Sequence, residues 1–228
     1  MRYDTVTLGD LTFPDNPAIL KRIHKRSIRR GNYERPERLA MKGLLEPTDH
    51  VLEIGGGIGF ISTLMVREHG VARVRSFDAN PDLIPFIQEV HKLNSVADRI
   101  DVRHGLIAAQ EGPPLTFFVR EDFLASSLND NLGDRFGGVV KTVDVEQVTL
   151  ESILDDFPAN LLICDIEGAE ADLLPALDLS TFRAAIVELH PQTIGLAGVK
   201  KVFEAFMSAG LVYDAARSEQ AVVTFQKA

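Results

Sequence analysis

Val51-Leu52-Glu53-Ile54-Gly55-Gly56-Gly57-Ile58-Gly59-Phe60 decides the fold of this chain. Val51–Ile54 reads as a short buried strand with an acid near its end, the glycines as a loop, and Ile58–Glu68 as a helix. Asp78 follows after that helix and one more strand. Together these features describe a pocket for an adenosine-containing ligand. The glycines let backbone approach the ligand, and the carboxylate holds the ribose hydroxyls.

Outward from this stretch the pattern alternates. Ala72–Phe77, Arg99–Arg103, Leu161–Asp165 and Ala184–Leu189 read as further strands. Asn80 caps and Pro81 opens a helix with the apolar stripe Leu83, Ile87, Val90. Helices are also expected over Leu150–Phe157, Ala169–Leu177 and Val199–Ala209. Leu211–Tyr213 and Ala221–Phe225 suit a terminal antiparallel β-hairpin. Repeated βα units predict an α/β fold, a mostly parallel sheet with helices on both faces. Ligands bind such sheets at the carboxyl ends of the strands, and Glu53, Asp78, His104, Asp165 and His190 all fall there. Residues 106–148 break the alternation, with strands at Leu115–Val119 and Val139–Val145 and a polar loop at Ser126–Gly138. They read as an insertion in one domain spanning 51–228. Residues 1–50 read as a helical extension or lid. Asn16 caps a helix that Pro17 opens and Gly31 stops, and a second helix covers Pro36–Leu45.

A chain of 228 residues is long enough for one α/β domain with a full core. No apolar run approaches the roughly 20 residues needed to span a bilayer, and Met1-Arg2-Tyr3-Asp4 lacks the apolar core of a signal peptide. The single cysteine, Cys164, excludes an internal disulfide and a cysteine-based metal cluster. A cytoplasmic location without membrane contact is expected. The net charge of −9 hides an asymmetry: nine Lys or Arg residues lie between Lys21 and Lys42, against the acids Glu34 and Glu37. The arm is either a solvated helix face on an acidic body or a site for an anionic substrate. Nucleic acid is not an expected partner, because aromatics are sparse in the arm and the whole is acidic.

The glycine register narrows the ligand. A dinucleotide site reads G-x-G-x-x-G, which would need glycine where Phe60 stands. The register here is acid-x-G-x-G-x-G over Glu53, Gly55, Gly57 and Gly59. No Gly-Lys-Ser/Thr follows to make a phosphate loop for ATP. An acid at the strand end suits the cationic groups of S-adenosylmethionine. A methyl-donor site is the favoured reading, with a dinucleotide site and a ligand-free glycine turn as the alternatives.

The run Val51–Gly59 resembles the first motif of class I S-adenosylmethionine-dependent methyltransferases. Asp165-Ile166-Glu167-Gly168-Ala169-Glu170 resembles the narrower hallmark of FkbM-type methyltransferases, which methylate hydroxyl oxygens of polyketides, sugars and related metabolites. Tyr33-Glu34, Asp78-Ala79-Asn80-Pro81 with Leu93-Asn94, and Val187-Glu188-Leu189-His190 agree with it. The resemblance covers residues 30–190. It departs at Ile163, where the family usually has lysine, and at Glu53, where it often has Asp. It implies a Rossmann-like class I methyltransferase fold, a mostly parallel seven-stranded sheet, with S-adenosyl-L-methionine as cofactor.

Under this resemblance Gly55 and Gly57 approach the methionine part of the cofactor, and Gly59 lets helix and strand pack closely. Asp78 accepts from both ribose hydroxyls, with Asn80 beside it; its plain alternative is a helix-start acid. Gly105 and Leu106 flank the adenine, and His104 is either a further contact or an ordinary strand-end residue. Glu53 orients the amino group, and Tyr33 and Glu34 fold over the cofactor or form a surface turn. Asp165 and Glu167 face the transferable methyl as base or substrate anchor, though Glu167 also suits a helix cap. His190 is the first choice of general base because a histidine titrates near neutrality; its alternative is a hydrogen-bonded strand-end residue before Pro191. Glu188 orients, Glu170 supports from one turn along the helix, and Cys164 is a small core residue. No metal is expected, since no clear third ligand joins Asp165 and Glu167.

The expected reaction is O-methylation of a hydroxylated small-molecule acceptor. The rivals are an N-methyltransferase acting on protein or nucleic acid, which the basic arm favours, and a non-catalytic S-adenosylmethionine-binding protein. The missing Asn/Asp-Pro-Pro-Tyr motif argues against the first. A homodimer through an exposed edge or the arm is left open.

Overall fold

The computed structural model describes residues 4–128 and 137–228. Its centre is a seven-stranded sheet. Five strands run parallel: β3 (His50–Ile54), β4 (Arg73–Asp78), β5 (Ile100–His104), β10 (Leu161–Cys164) and β11 (Ala184–Glu188). Two more, β12 (Leu211–Tyr213) and β13 (Val222–Lys227), form the expected terminal hairpin, and β13 joins β11 antiparallel. The strand order is β12-β13-β11-β10-β3-β4-β5. The order reverses between β3 and β10, so the crevice for a ligand opens beyond the ends of these two strands.

The period of two along each strand divides the core. Val51, Val74, Leu161, Ile163, Ala184 and Ile186 pack on one face with helices α3 (Phe60–Arg67) and α4 (Leu83–Leu93). Leu52, Ile54, Phe77, Leu162, Cys164, Ala185 and Val187 pack on the other with α5 (Leu150–Asp156) and α7 (Pro191–Ser208). Both faces are therefore covered, which is why these strands read as continuous apolar runs. No helix among the described residues is long and apolar enough to cross a membrane.

The N-terminal segment is not wholly helical. It begins with a hairpin, β1 (Thr5–Leu8) and β2 (Leu11–Pro14), around Gly9-Asp10. Asn94 fastens this hairpin to α4: its Oδ1 accepts from Thr12 N at 3.0 Å and its Nδ2 donates to Thr12 O at 2.7 Å. The helix expected from Asn16 starts later, as α1 (Arg22–Arg29), because the Asn16 side chain closes a local turn on Ala18 N instead. Gly31, at φ 69, stops α1 as expected. Helix α2 (Arg35–Met41) follows with Pro36 in its first turn. Asn80 likewise turns onto Asp82 N, so α4 begins two residues after Pro81.

Among the described residues the insertion holds four strands. β7 (Leu115–Arg120) and β8 (Val139–Val145) pair antiparallel, while the short β6 (Leu106–Ala108) and β9 (Gln147–Thr149) pair parallel. The expected polar loop at 126–138 lies mostly outside the described residues. The helix expected over Ala169–Leu177 is short, α6 (Glu170–Leu173), with a 3-10 turn after it. The last helix starts earlier than Val199. Pro191 opens α7, which bends at Gly195 with φ 64.

At the opposite end of the sheet, fully buried Asp49 ties four segments together. Its carboxylate takes two hydrogen bonds from the Arg183 guanidinium, at 2.8 and 2.5 Å, and one from Asn160 Nδ2 at 3.0 Å. Glu46 N donates to it as well, and its carbonyl accepts from Ala72 N and Arg73 N. Removing one partner of a buried pair leaves the other uncompensated. Asp49→Ala is expected to cost about 3 kcal/mol in urea unfolding, whereas truncating exposed Lys200, paired only with Glu204, should fall within about 0.5 kcal/mol.

Candidate active site

The glycine loop is fixed by close approach. A methyl at Gly55 would collide with the Asp165 carbonyl oxygen, and Gly55 itself sits at φ 94. A methyl at Gly56 would press on Ser76 Oγ and Ile87. Gly57, at φ 54, has open space where a Cβ would point. Gly59 lets α3 pack on α4, for its missing Cβ would meet Ile87 and His91. The tight partner is thus a helix rather than the expected strand.

Beyond the loop lies a cavity of about 680 Å³. Gly55, Gly57, Asp78, Asn80, Gly105, Leu106, Asp165 and Glu167 line it, so the structure brings these eight sequence-predicted residues together. Asp78 stands at the end of β4. Its Oδ2 accepts from Gly57 N at 3.0 Å and its Oδ1 from Asn80 N at 2.7 Å. A carboxylate has about four acceptor positions, which leaves capacity for the two hydroxyls of a ribose. Burial pushes the Asp78 carboxyl up to about 6, against the pull of these backbone N–H groups. The far wall comes from the insertion through Leu115 and Phe117, with Phe123 and Thr193 closing the sides. Sequence reasoning named only the segments here; Thr193 lies on α7, where a loop was expected. These features fit an adenosine ligand with a short charged tail: an open backbone at Gly57, a ribose carboxylate, and apolar walls.

Two predicted cofactor residues lie away from the cavity lining. Glu53 is 1% exposed and shares the face of Val51 under α3, beside Ser62 and Ser76. Burial pushes its carboxyl up to about 8, with Asp78 adding to the rise and the two serines opposing it, which favours the neutral form. Tyr33 is buried edge-on against Phe60, with centroids 5.1 Å apart. Burial raises its phenol, with Glu34 and Asp165 adding to the rise. His104 is exposed, and its Nε2 lies 3.1 Å from Ala79 O.

Asp165, Glu167, Glu188 and His190 meet because β10 and β11 are parallel neighbours with Cys164 opposite Val187. His190 Nδ1 lies 2.7 Å from Oε1 of fully buried Glu170, and its Nε2 3.2 Å from Glu167 and 3.8 Å from Asp165. Burial alone would lower the imidazole pKa. Hydrogen bonds to Glu167 and Glu170 outweigh it and push the ring up to about 11. These hydrogen bonds favour the charged imidazolium over the neutral ring that the expected general base requires. Burial also raises Asp165, well above the carboxylate range, with Glu188, Glu34 and Glu167 adding to the rise. Glu34 and Glu37 on the α2 side complete the cluster: burial pushes Glu34 to about 8, with Glu37 and Glu188 adding to the rise, and Glu37 to about 7, with Glu188 adding to the rise. The sequence identifies each acid but not their convergence. Glu167 is further marked by a left-handed φ of 54, rare for a residue with a side chain. Cys164 is buried in the core as expected, its thiol raised by burial.

The fold is that of class I methyltransferases, as comparison with solved structures shows. TYW2 of M. jannaschii in complex with AdoMet superposes with a TM-score of 0.54 at 11% identity, covering 100% of this chain and 88% of that one. The precorrin-6y C5,15-methyltransferase of Geobacter metallireducens gives 0.51 at 13%, with coverage of 86% and 88%. An O-methyltransferase from Bacillus cereus in complex with SAH gives 0.51 at 14%, with coverage of 84% and 80%. No curated protein matches by sequence. Residues 53–207 match the methyltransferase FkbM domain, so the chain belongs to the FkbM methyltransferase family, whose cofactor is S-adenosylmethionine.

The two central glycines should respond differently to alanine. Gly55→Ala is expected to abolish S-adenosylmethionine binding and lower the melting temperature sharply. Gly57→Ala should stay folded, with about 1–2 kcal/mol of left-handed backbone strain. Calorimetry and thermal melts check both. An Asp78 carboxylate that holds ribose hydroxyls, as expected from the sequence, gives full affinity above its pKa and weaker binding as pH drops through about 6. Titration at pH 5 should give about tenfold weaker binding than at pH 7, a dependence absent in Asp78→Asn.

Proposed function

We propose that this methyltransferase acts on a hydroxyl oxygen of a small molecule. The observation that carries this reading is Glu167. It keeps a left-handed backbone and lines the same cavity as Gly55, Gly57 and Asp78. Strained conformations of this kind cluster at functional sites. When bound, the cofactor supplies a methyl group on a sulfonium, itself a good leaving group.

The chain's residues then have to align and to exclude water. Gly55 and Gly57 give the methionine end its backbone bed, Asp78 with Asn80 holds the ribose, and Gly105 and Leu106 flank the adenine. Asp165 faces the positive sulfonium. Glu167 accepts the hydrogen bond of the acceptor hydroxyl and draws off its proton as the oxygen attacks. The charged His190 holds the two carboxylates apart and in place, supported from behind by Glu170. Most of the rate then comes from alignment. Leu115, Phe117 and Phe123 give the acceptor an apolar bed, which suits a metabolite ring or chain better than a nucleic acid backbone. Three exposed residues of α1 (Arg22, Arg26, Arg29) face solvent and stay outside the cavity lining.

Radiolabelled methyl transfer onto matched panels of alcohols, sugars and amines tests the assignment. Product is expected on oxygen, and Glu167→Gln should lower kcat/KM by about tenfold to a hundredfold while the cofactor Kd stays within a few-fold. Transfer to amines alone would overturn the hydroxyl assignment.

A further inference from the structure

We propose that Asp165, Glu188 and His190 form a binding site for a divalent cation of the Mn²⁺ class. One ligand atom from each of the three lies within 4.8 Å of the others. The three come from the ends of two adjacent parallel strands, so the sheet itself sets their spacing. This goes beyond the methyl-transfer reading and holds whichever acceptor is used. It also supplies the third ligand that the sequence does not reveal.

The cluster is more than a collection of acids. Fully buried Glu170 sits 2.7 Å from His190 Nδ1, which fixes the ring so that Nε2 faces Glu167 at 3.2 Å and Asp165 at 3.8 Å. A carboxylate behind a ligating imidazole is the usual way of orienting it toward a metal. Two buried acceptors in and beside the group also lack a donor. Among the described residues, Asp165 Oδ1, out of solvent, has no hydrogen-bond partner, and neither has Oε2 of Glu37, a residue only 6% exposed. Carboxylate oxygens of Glu34, Glu37 and Glu188 lie within 4.8 Å of one another, so Glu188 joins this second group to the proposed site. Buried carboxylates need positive charge or donors nearby. Asp165, Glu188 and Glu37 bring more carboxylate oxygens together than the donors beside them satisfy, and a divalent cation supplies what is lacking.

The donor set selects among cations. Two carboxylates and one imidazole suit Mn²⁺, which accepts both oxygen and nitrogen. Mg²⁺ prefers oxygen alone, and no thiolate is present to favour a soft metal. As the cation enters, Nε2 gives up its proton to solvent and presents its lone pair. Water completes the coordination, on the side where Asp165 opens into the cavity.

The test is calorimetric titration of EDTA-treated full-length protein with MnCl2, with MgCl2 in parallel, and electron paramagnetic resonance on the Mn²⁺ complex. One Mn²⁺ per chain is expected, bound more tightly than Mg²⁺, with nitrogen coupling from one imidazole. Affinity should fall at least tenfold in Glu188→Gln and about tenfold to a hundredfold in Glu170→Gln, and should stay unchanged in Glu204→Gln on the exposed face of α7. The nitrogen coupling is read on wild type, so it decides the matter even if a variant fails to fold. Absence of Mn²⁺ binding, binding without imidazole coupling, or binding indifferent to Glu188→Gln in folded protein would overturn the site. S-adenosylmethionine is titrated into the same EDTA-treated sample. Retained binding there keeps failure of the metal site separate from failure of the methyl-transfer reading.

Discussion

Only a hydrogen atom fits between the backbone at Gly55 and the carbonyl of Asp165. The rest of the site depends on that contact. Asp165 N donates to Ile54 O at 2.9 Å just before it, and Gly55 N donates to Phe77 O at 2.9 Å just after. The ends of β10, β3 and β4 are thereby pinned in one line. The glycine loop leaves β3 there, Asp78 ends β4, and the acidic edge follows β10. A shift of any one strand by a residue would invert its faces and scatter all three groups. Geometry at the cavity is thus inherited from strand register rather than built by the loops around it.

The two acids flanking the glycine loop show how position decides role. Glu53 and Asp78 both stand near strand ends, two and one residues from glycine or turn. Glu53 points to the face that α3 covers, where burial beside Ser62 and Ser76 favours its neutral form. Asp78 points into the cavity and is held by backbone N–H groups that favour its charge. Both acids share one face of the sheet, Glu53 with Val51 and Asp78 with Val74; the difference is position along the strand, for Glu53 lies inside β3 under α3, whereas Asp78 is the last residue of β4 and borders the cavity.

Much of this architecture was legible from local pattern. The apolar runs at β3, β4, β10 and β11, the glycine register, and the acids at 78, 165 and 167 each carry their signal within a few residues. Elements that depend on weaker or distant signals were harder to read. The β1–β2 hairpin did leave a trace, Gly9-Asp10 between two four-residue runs, but its strands are short and its partner, Asn94, is 82 residues away. The first turns of α7 were hidden by Gly195 and Gly198, which weaken a helical pattern. β6 and β9, at three residues each, are set by pairing alone. The acidic cluster draws Glu34 and Glu37 from before the sheet and Glu188 and His190 from late in the chain. No spacing within the sequence encodes that meeting. His190 shows the same limit: its type suggests a titrating group near neutrality, and only its three-dimensional neighbours make it a cation.

The chain's one thiol lies in the strand that carries the site. Cys164 is 1% exposed in β10, one residue before Asp165, and burial keeps it in the unreactive protonated form. A thiol reagent can reach it only when that strand opens. Its labelling rate is then a clock for excursions of the catalytic edge, read at a single native position without any introduced probe. A ligand that binds only the closed form should slow that clock in proportion to its saturation. The family's cofactor chemistry thus comes with an internal reporter of its own conformational breathing.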